Sequence, residues 1–326
     1  MTIALDAMGG DGAPATPVEG ARAALAEASE DVRIVLVGDP QAIDLAVSGG
    51  LPVRALTVLP ARETIGPDEP PALAVRRKRE SSIVVGLEAL RRGEVDAFIS
   101  AGSTGAIMAA SLLVLGPLPG VERPSVGAMF PTSEGSALVL DAGANVNCRP
   151  DQLRQFAHLG SIYVRDLLRI ERPRVGLLNV GEEEEKGDDL AIATYRLLAA
   201  DPALNFIGNV EGHQIILGAC DVLVCDGFVG NALLKFYESM AGFVLGILRQ
   251  RLEDAPGDLE DVFKFLDYTE YGGAPLLGVN GVSIICHGSS PPRAIKNAIE
   301  VAVRSLRSGM VEDMARDLEQ LPDLSA

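Results

Sequence analysis

A short apolar run followed by a glycine-rich polar loop recurs six times along the chain. The clearest copy spans residues 222–235 and reads VLVCDGFVGNALLK. Its opening run is too short for a helix and rich in β-branched residues, so it predicts a buried strand. Asp226, Gly227 and Gly230 then predict a turn, and Asn231 stands where a helix N-cap belongs. The pattern therefore predicts a strand, a loop and a helix in succession.

The other five copies end in loops of the same small, polar composition. These loops lie at residues 6–12, 101–105, 141–145, 181–187 and 287–290. The carboxyl ends of parallel strands share one edge of a sheet, and open α/β folds bind their ligands there. Six such loops predict one shared cleft lined by backbone N–H groups and helix N-termini. That lining suits an anion, above all phosphate.

The composition agrees with an α/β fold built on a parallel sheet. Apolar residues make up 48% of the 326 residues, and alanine, leucine, valine and glycine dominate. Small aliphatic residues suit parallel strands packed closely under helices. No linker or break in composition marks a boundary, so we predict a single α/β domain over residues 1–326. Apolar helical patterns predict a helical arm at about 236–270 that contacts a second subunit or a membrane.

Charge and targeting signals exclude several classes of protein. The net charge of −17 disfavours nucleic-acid binding and would be repelled by an anionic bilayer, so membrane contact would need apolar insertion. The four cysteines match no zinc spacing, and the loop at 8–12 is not a GxGxxG fingerprint. We therefore expect no metal and no cofactor. The sequence offers no signal-peptide pattern and no long uncharged apolar run, which favours a cytoplasmic protein.

The only dense basic run, Arg76–Arg79, lies in this acidic chain just before an apolar helical segment. Most charge runs are solvated faces of a protein. Arg76 and Arg79 would alternatively help to dock an acidic partner or a phosphate-bearing group, because the run opposes the overall charge. Both interpretations stay open from the sequence.

Residues in three further segments are candidates for ligand binding. Ser103 and Thr104, followed by Gly105, enter a predicted helix, where a hydroxyl either caps the helix or binds phosphate. Lys186 ends an acidic run at a strand end, where it either balances the run or holds a phosphate oxygen or oxyanion. His213 is a secondary candidate, since a lone histidine is more often structural. No GxSxG motif signals a serine nucleophile.

Nine segments, in order and spread over the whole chain, resemble the phosphate acyltransferase (PlsX) family of bacterial phospholipid synthesis. They are ALDAMGGDGAP at 4–14, RRKRESSI at 76–83, ISAGSTGA at 99–106, DAGAN at 141–145, LLNVGEEEEKG at 177–187, NVEG at 209–212, CDGFVGN at 225–231, EYGGAPLLGVNG at 270–281 and HGSS at 287–290. One local departure is the pair of prolines in SPPR at 290–293.

The resemblance implies both an activity and a fold. It implies transfer of a long-chain acyl group from acyl carrier protein to inorganic phosphate, giving acyl phosphate for phosphatidic acid synthesis. The implied fold is a Rossmann-like α/β/α sandwich with a mostly parallel sheet, similar to phosphotransacetylases and to the isocitrate/isopropylmalate dehydrogenase group. A homodimer, peripheral membrane contact and a downstream glycerol-3-phosphate acyltransferase are also implied.

With that chemistry, phosphate itself attacks the thioester, and no catalytic serine or cysteine is needed. We expect the amides of Ser103–Gly105 and of Gly227–Gly230 to bind phosphate, and Lys186 to neutralise phosphate or the oxyanion. Asn231 would orient the thioester carbonyl, with helix capping as the competing role. Asp226 would position these groups or only brace the turn. Rival functions are a phosphotransacetylase that uses coenzyme A thioesters and a non-catalytic membrane-associated scaffold.

Overall fold

A computed structural model describes residues 1–47, 56–251 and 268–319 of the chain. Contacts within the chain cluster into two compact units. The first unit comprises the described residues of 1–124 and 271–316, and the second comprises those of 125–270 and 317–319. The single domain over residues 1–326 therefore stays a prediction.

Twelve strands lie within the described residues. They are β1 Thr2–Asp6, β2 Arg33–Gly38, β3 Leu56–Pro60, β4 Ala97–Ser100, β5 Ser125–Val126, β6 Ala128–Thr132, β7 Gly135–Leu140, β8 Arg174–Asn179, β9 Asn205–Glu211, β10 Val222–Val224, β11 Ala274–Leu277 and β12 Val282–Ile285.

The same part of the chain contains eleven α-helices. They are α1 Ala15–Glu27, α2 Pro40–Ala46, α3 Pro71–Arg77, α4 Ser82–Arg91, α5 Thr104–Val114, α6 Pro150–Leu168, α7 Asp189–Ala199, α8 Gly212–Ile215, α9 Gly227–Arg251, α10 Pro292–Ser308 and α11 Met310–Glu319.

The strands of the first unit run in the order β3-β2-β1-β4-β12-β11. Neighbouring strands are parallel except β11, which runs antiparallel to β12. Every residue of β4 and β12 is buried, so both faces of the sheet are covered at its centre. On one side α1 packs closely on α10, where a Cβ at Gly20 would lie 2.6 Å from Ile295. Gly86 of α4 makes a similarly close contact with Phe98 of β4.

The strands of the second unit run in the order β6-β7-β10-β8-β9. Only β6 is antiparallel to its neighbour. Helix α6 packs on β7 and β10 through Gly160, whose missing side chain leaves room for Leu140 and Val222. The predicted α/β fold with mostly parallel sheets is therefore confirmed in each unit.

Two local differences from the sequence analysis affect the functional residues. Residues 71–77 form helix α3, which carries Arg76, whereas the sequence pattern gave no helix there. Helix α9 begins at Gly227, so the segment predicted to be a loop is the first helical turn. Of the helical arm predicted at about 236–270, residues 252–267 lie outside the described residues. None of the described helices is long and apolar enough to cross a bilayer.

Candidate functional site

The six strand-end loops form two sets of three. β1, β4 and β12 are adjacent in the first unit, so the loops at 6–12, 101–105 and 287–290 share one sheet edge. β7, β10 and β8 are adjacent in the second unit, so the loops at 141–145, 226–230 and 181–187 share another. The predicted gathering of loops at carboxyl edges is confirmed within each unit. The single cleft stays a prediction.

A buried aspartate at the end of β1 braces the first set. Asp6 is 1% exposed, and its carboxylate accepts hydrogen bonds from the Ser100 hydroxyl at 2.6 Å and the Met8 N–H at 3.0 Å. Burial raises the pKa of Asp6, and hydrogen bonds from Ser100 and Ser82 oppose that rise. Asp6 therefore holds the end of β4 and its own loop together and does not face a ligand.

The backbones of these loops approach so closely that glycine is required. A Cβ at Gly9 would lie 2.6 Å from the Gly102 nitrogen. Gly10 has φ +96°, and the Asp11 N–H donates to the Gly288 carbonyl at 2.8 Å. Main-chain contacts thus lock the three loops together, in addition to the hydrogen bonds of the Asp6 side chain.

The predicted phosphate-binding residues Ser103, Thr104 and Gly105 lie at the start of α5. Ser103 occupies the N-cap position, but its hydroxyl makes no capping hydrogen bond. That hydroxyl and the first N–H groups of the helix are therefore open to a ligand. A Cβ at Gly105 would lie 2.7 Å from Pro71, so this turn packs directly on α3.

The basic run contains one residue with an ion-pair partner and others that are exposed without one among the described residues. Lys78 forms an ion pair with Glu69 at 2.6 Å and also donates to the Thr64 carbonyl. Arg76 and Arg79 are exposed and form no ion pair with any residue that the structure describes. Leu73, on the same helix as Arg76, is 44% exposed. This surface therefore offers positive charge beside an apolar side chain.

A second buried aspartate, directly after β7, braces the other set. Asp141 accepts hydrogen bonds from the Val126 N–H at 2.9 Å, the Ser125 hydroxyl at 3.2 Å and the Asn145 N–H. Burial raises the pKa of Asp141, against the effect of these N–H donors. The Asn145 carbonyl in turn accepts from the Gly227 N–H at 2.8 Å. A Cβ at Gly230 would lie only 1.9 Å from the Asp141 carbonyl oxygen, so the two loops are in direct contact.

Asp226 caps helix α9, and this corrects the prediction for Asn231. The Asp226 carboxylate accepts from the N–H groups of Phe228 at 2.8 Å and Val229 at 3.0 Å. Asn231 lies inside the helix, exposed, and its amide makes no hydrogen bond with any described residue. The prediction was wrong because Gly227 and Gly230 were taken as loop residues. They are helical, and they are glycines because the helix packs against Asp141. The Gly227 and Gly230 N–H groups donate to the Asn145 and Asp226 carbonyls, so they are not available for the phosphate contact that the sequence predicted.

Lys186 lies at the end of the loop that follows β8. The residue is exposed, and its ammonium group forms no ion pair with any described residue, although Glu182–Glu185 directly precede it. Two of these glutamates have other partners: Glu182 accepts from the Gln214 amide, and Glu184 lies 3.9 Å from Arg196. An exposed ammonium without a carboxylate partner in so acidic a segment can bind an anion.

His213 lies on α8, directly after β9. Its ring is 67% exposed, and its Nδ1 lies 3.7 Å from the Glu211 carboxylate. Because β9 neighbours β8, His213 belongs to the same sheet edge as the Lys186 loop. The geometry assigns it no contact with Lys186, so His213 stays a secondary candidate.

Two asparagines in this region escaped the sequence analysis as site residues. The Asn179 amide donates to the Lys186 carbonyl at 2.9 Å, and the Asn209 amide donates to the Glu183 carbonyl at 2.8 Å. The available signal was that each stands at or near the carboxyl end of a strand. That both amides reach the loop at 181–187 could be found only from the pairing of β8 with β9.

A pocket of about 380 Å³ lies at the opposite edge of the same sheet. Its lining includes Arg172 and Asn205, at the amino ends of β8 and β9, and the buried pair of His158 with Asp201 lies beside it. Burial lowers the pKa of His158. The pocket therefore does not coincide with the strand-end loops.

Comparison with known proteins extends over almost the whole chain. A family model described as "Fatty acid synthesis protein" matches residues 1–313. A phosphate acyltransferase from Desulforamulus reducens is 49% identical over 326 residues, covering 97% of both chains. A phosphate acyltransferase from Desulfitobacterium hafniense is 49% identical over 330 residues, covering 98% of both chains.

Two solved structures share the fold. The EutD phosphotransacetylase from Staphylococcus aureus has a TM-score of 0.61 at 16% identity, covering 94% of both chains. A phosphotransacetylase from Streptococcus pyogenes has a TM-score of 0.59 at 18% identity, again covering 94% of both chains. At such low identity these matches establish the fold alone, and they confirm the predicted likeness to phosphotransacetylases.

Proposed function

The chain belongs to the phosphate acyltransferase family, and from that membership we propose that it transfers a long-chain acyl group from acyl carrier protein to inorganic phosphate. Phosphate attacks the thioester carbon directly, the thiolate of the carrier leaves, and acyl phosphate is released for phospholipid synthesis. The observation that carries the proposal is the Lys186 ammonium in the loop after β8, which has no ion-pair partner among the described residues, in a chain whose glycine-rich loops suit an anion.

Lys186 would neutralise the phosphate or the oxyanion that forms on the thioester. In this reaction anionic phosphate attacks a neutral thioester carbon, and further negative charge develops on the carbonyl oxygen. A cation beside these oxygens therefore lowers the electrostatic barrier. The leaving thiol has a free pKa of about 8.5, so it needs little proton assistance. The chemistry thus asks for charge neutralisation and orientation rather than for a general base.

The other predicted residues fit roles in orientation. Ser103, Thr104 and Gly105 would bind phosphate through the open N-terminus of α5 and the free hydroxyl of Ser103. Asn231 does not cap its helix, so its amide is free to orient the thioester carbonyl. Asp226 supports it by capping the first turn of that helix, together with the close packing of Gly227 and Gly230.

We propose that Arg76 and Arg79 dock the acyl carrier protein, which is acidic. Both guanidinium groups are exposed and unpaired among the described residues, whereas the neighbouring Lys78 already has its carboxylate partner. Charge complementarity of this kind steers an acidic partner and raises its association rate.

We propose a homodimer in which helix α9 pairs with its copy. An exposed apolar stripe follows the helix with alternating spacings of four and three residues, the spacing of a coiled-coil seam. Phe236 is 65% exposed and Phe243 61%. The Tyr237 ring packs at a tilt of 41° against Phe130, with ring centroids 5.1 Å apart, which ties the helix to β6. The stripe consists of Val229, Leu233, Phe236, Met240, Phe243 and Ile247.

Changing Phe236 and Phe243 together to glutamate should produce a monomer, because the change would bury four charges in the paired seam. Light scattering after size exclusion would measure this, with Leu45→Glu, at an exposed leucine elsewhere, as control. A variant that stays dimeric but no longer binds liposomes would assign the stripe to a membrane. Peripheral membrane contact would also suit delivery of acyl phosphate to a glycerol-3-phosphate acyltransferase.

The proposed activity is tested by mixing the protein with palmitoyl acyl carrier protein and phosphate. Acyl phosphate, trapped with hydroxylamine, should form together with free carrier protein and only when phosphate is present. Faster reaction with palmitoyl coenzyme A would favour a phosphotransacetylase-like activity. If neither donor gives acyl phosphate, the proposed enzymatic activity is refuted, and the non-catalytic scaffold becomes the favoured function.

A further inference from the structure

We propose that Asn179 and Asn209 are positioning residues that fix the main chain of Lys186, an inference that rests on the proposed role of Lys186. Neither asparagine would touch the substrate. Each would act through the loop that carries the ammonium group, by holding one carbonyl of that loop against the end of the sheet.

Two amide groups hold the main chain at Lys186 from both sides. The Glu183 carbonyl accepts the Lys186 N–H at 3.1 Å and the Asn209 amide at 2.8 Å. The Lys186 carbonyl accepts the Asn179 amide at 2.9 Å. The carbonyl oxygen of Asn179 in turn accepts from the Val180 N–H at 2.8 Å, which fixes the orientation of its amide. The peptide groups on each side of Lys186 are therefore tied to the sheet.

Strand pairing explains how both asparagines reach the same loop. In the parallel pair β8–β9, Asn179 lies beside Glu211 and Leu177 lies beside Asn209. Side chains two residues apart on a strand share one face. Asn179, Glu211 and Asn209 therefore project from the same face. Both asparagines bind the loop at 181–187. The clamp arises from two neighbouring strands rather than from one local turn.

The composition of the loop explains why a clamp is needed. Four consecutive carboxylates repel one another, and each attracts the ammonium of Lys186 when the loop is free to fold back. Fixing the main chain on both sides of Lys186 restricts that movement. The two asparagine hydrogen bonds would thus keep the Lys186 ammonium from pairing with the neighbouring glutamates.

The carbonyl oxygen of Asn209 supports a role other than stability. Asn209 is 7% exposed, and its Oδ1 is buried without a hydrogen-bond partner among the described residues. Exchanging the oxygen and nitrogen of this amide would turn an oxygen toward the Glu183 carbonyl, so the observed orientation is the favourable one. A buried amide oxygen without a hydrogen bond destabilises the fold, so packing alone would favour an apolar side chain here. The hydrogen bond from its amide nitrogen to the Glu183 carbonyl therefore explains why an asparagine occupies this position.

The matched experiment compares Asn209→Ala with Asn205→Ala. Asn205 lies on the same strand and also donates to a main-chain carbonyl, that of Arg172 at 3.1 Å, but at the opposite edge of the sheet. We expect Asn209→Ala to lower kcat/KM for phosphate by roughly 10-fold to 100-fold through misplacement of Lys186. Its urea midpoint should equal or exceed that of the wild type, and Asn205→Ala should keep wild-type turnover.

A double mutant distinguishes positioning from a separate effect. If Asn209 acts through Lys186, adding Asn209→Ala to Lys186→Ala should cause no further loss of turnover. A full additional loss, or equal turnover of Asn209→Ala and Asn205→Ala, would overturn the proposal. Should the alanine variant fold poorly, the isosteric pair Asn209→Asp and Asn205→Asp repeats the comparison. A wild-type protein that forms no acyl phosphate would instead refute the proposed function itself.

Discussion

The two sets of strand-end loops are built alike but carry different groups. In each unit a buried aspartate at the end of a strand, Asp6 or Asp141, accepts N–H and hydroxyl hydrogen bonds and fixes a glycine-rich loop. The loops of the first set are locked mainly by close backbone contacts and leave the Ser103 hydroxyl open. The second set also presents Lys186 and the amide of Asn231. In each set the buried aspartate therefore fixes the loop backbone, and the other loop residues determine which chemistry the set can support.

The largest expected effect is that of Lys186→Ala, which would show whether the charge of the second set is essential. Without the ammonium, formation of acyl phosphate should fall by about 100-fold or more, because the three described loops of this set, at 141–145, 181–187 and 226–230, contain no other cation. Lys296→Ala is the control, since it removes an ammonium that is already paired with Glu27 at 2.6 Å. Near-wild-type turnover of Lys186→Ala in the trapping assay would remove Lys186 from the mechanism.

Adding one methyl group to each loop set compares how tightly the two are packed. Gly230→Ala and Gly9→Ala should each lower the free energy of unfolding by about 1–3 kcal/mol through overpacking. The loss should be larger for Gly230→Ala, whose Cβ would lie 1.9 Å from a carbonyl oxygen, against 2.6 Å from a nitrogen for Gly9. Urea unfolding measures both, with Gly212→Ala as control because its Cβ would meet nothing within 4 Å. Equal stability of all three variants would contradict the locked loops.

Charge reversal at Arg76 and Arg79 tests whether the basic run of the first unit docks an acidic partner. Changing Arg76 and Arg79 to glutamate should raise KM for acyl carrier protein by about 10-fold at low salt, since it reverses the attraction to an acidic partner. KM for phosphate should change little. Arg33 and Arg123, both exposed, supply a control pair with the same change in charge. If both pairs behave alike, the basic run is a solvated face.

The smallest expected effect is on the pH dependence of stability, which the two buried aspartates should share. Burial raises the pKa of Asp6 and Asp141 above the usual 3.8, so the folded chain keeps these protons while the unfolded chain loses them. Their contribution to stability is thus fully present below that value and is lost as pH rises through the folded pKa. Asp6→Asn and Asp141→Asn should each flatten the loss of stability that sets in as pH rises above about 4, measured from urea midpoints. A slope unchanged from wild type would mean that the carboxyl ionises normally.

The fold and the loops followed from the sequence because they depend on local patterns. Short apolar runs followed by glycine predicted the strands of both units, and the structure places their loops at two sheet edges. The start of α9 was misjudged because Gly227 and Gly230 serve a contact with Asp141, a residue far away in the sequence. The contact of Asn209 with Glu183 depends on the register of β8 and β9, which no local pattern specifies.

The first unit is interrupted in sequence by the second, and this has a consequence for biosynthesis. Strand β4 pairs with β12 on one side, yet about half of the chain separates the two. During translation the edge of β4 therefore stays open until residue 285 has left the ribosome, by which time all five strands of the second sheet have already been made. An unpaired edge is a hazard for aggregation. A nascent chain that stalls before β12 should consequently depend on chaperones, although its first hundred residues are complete.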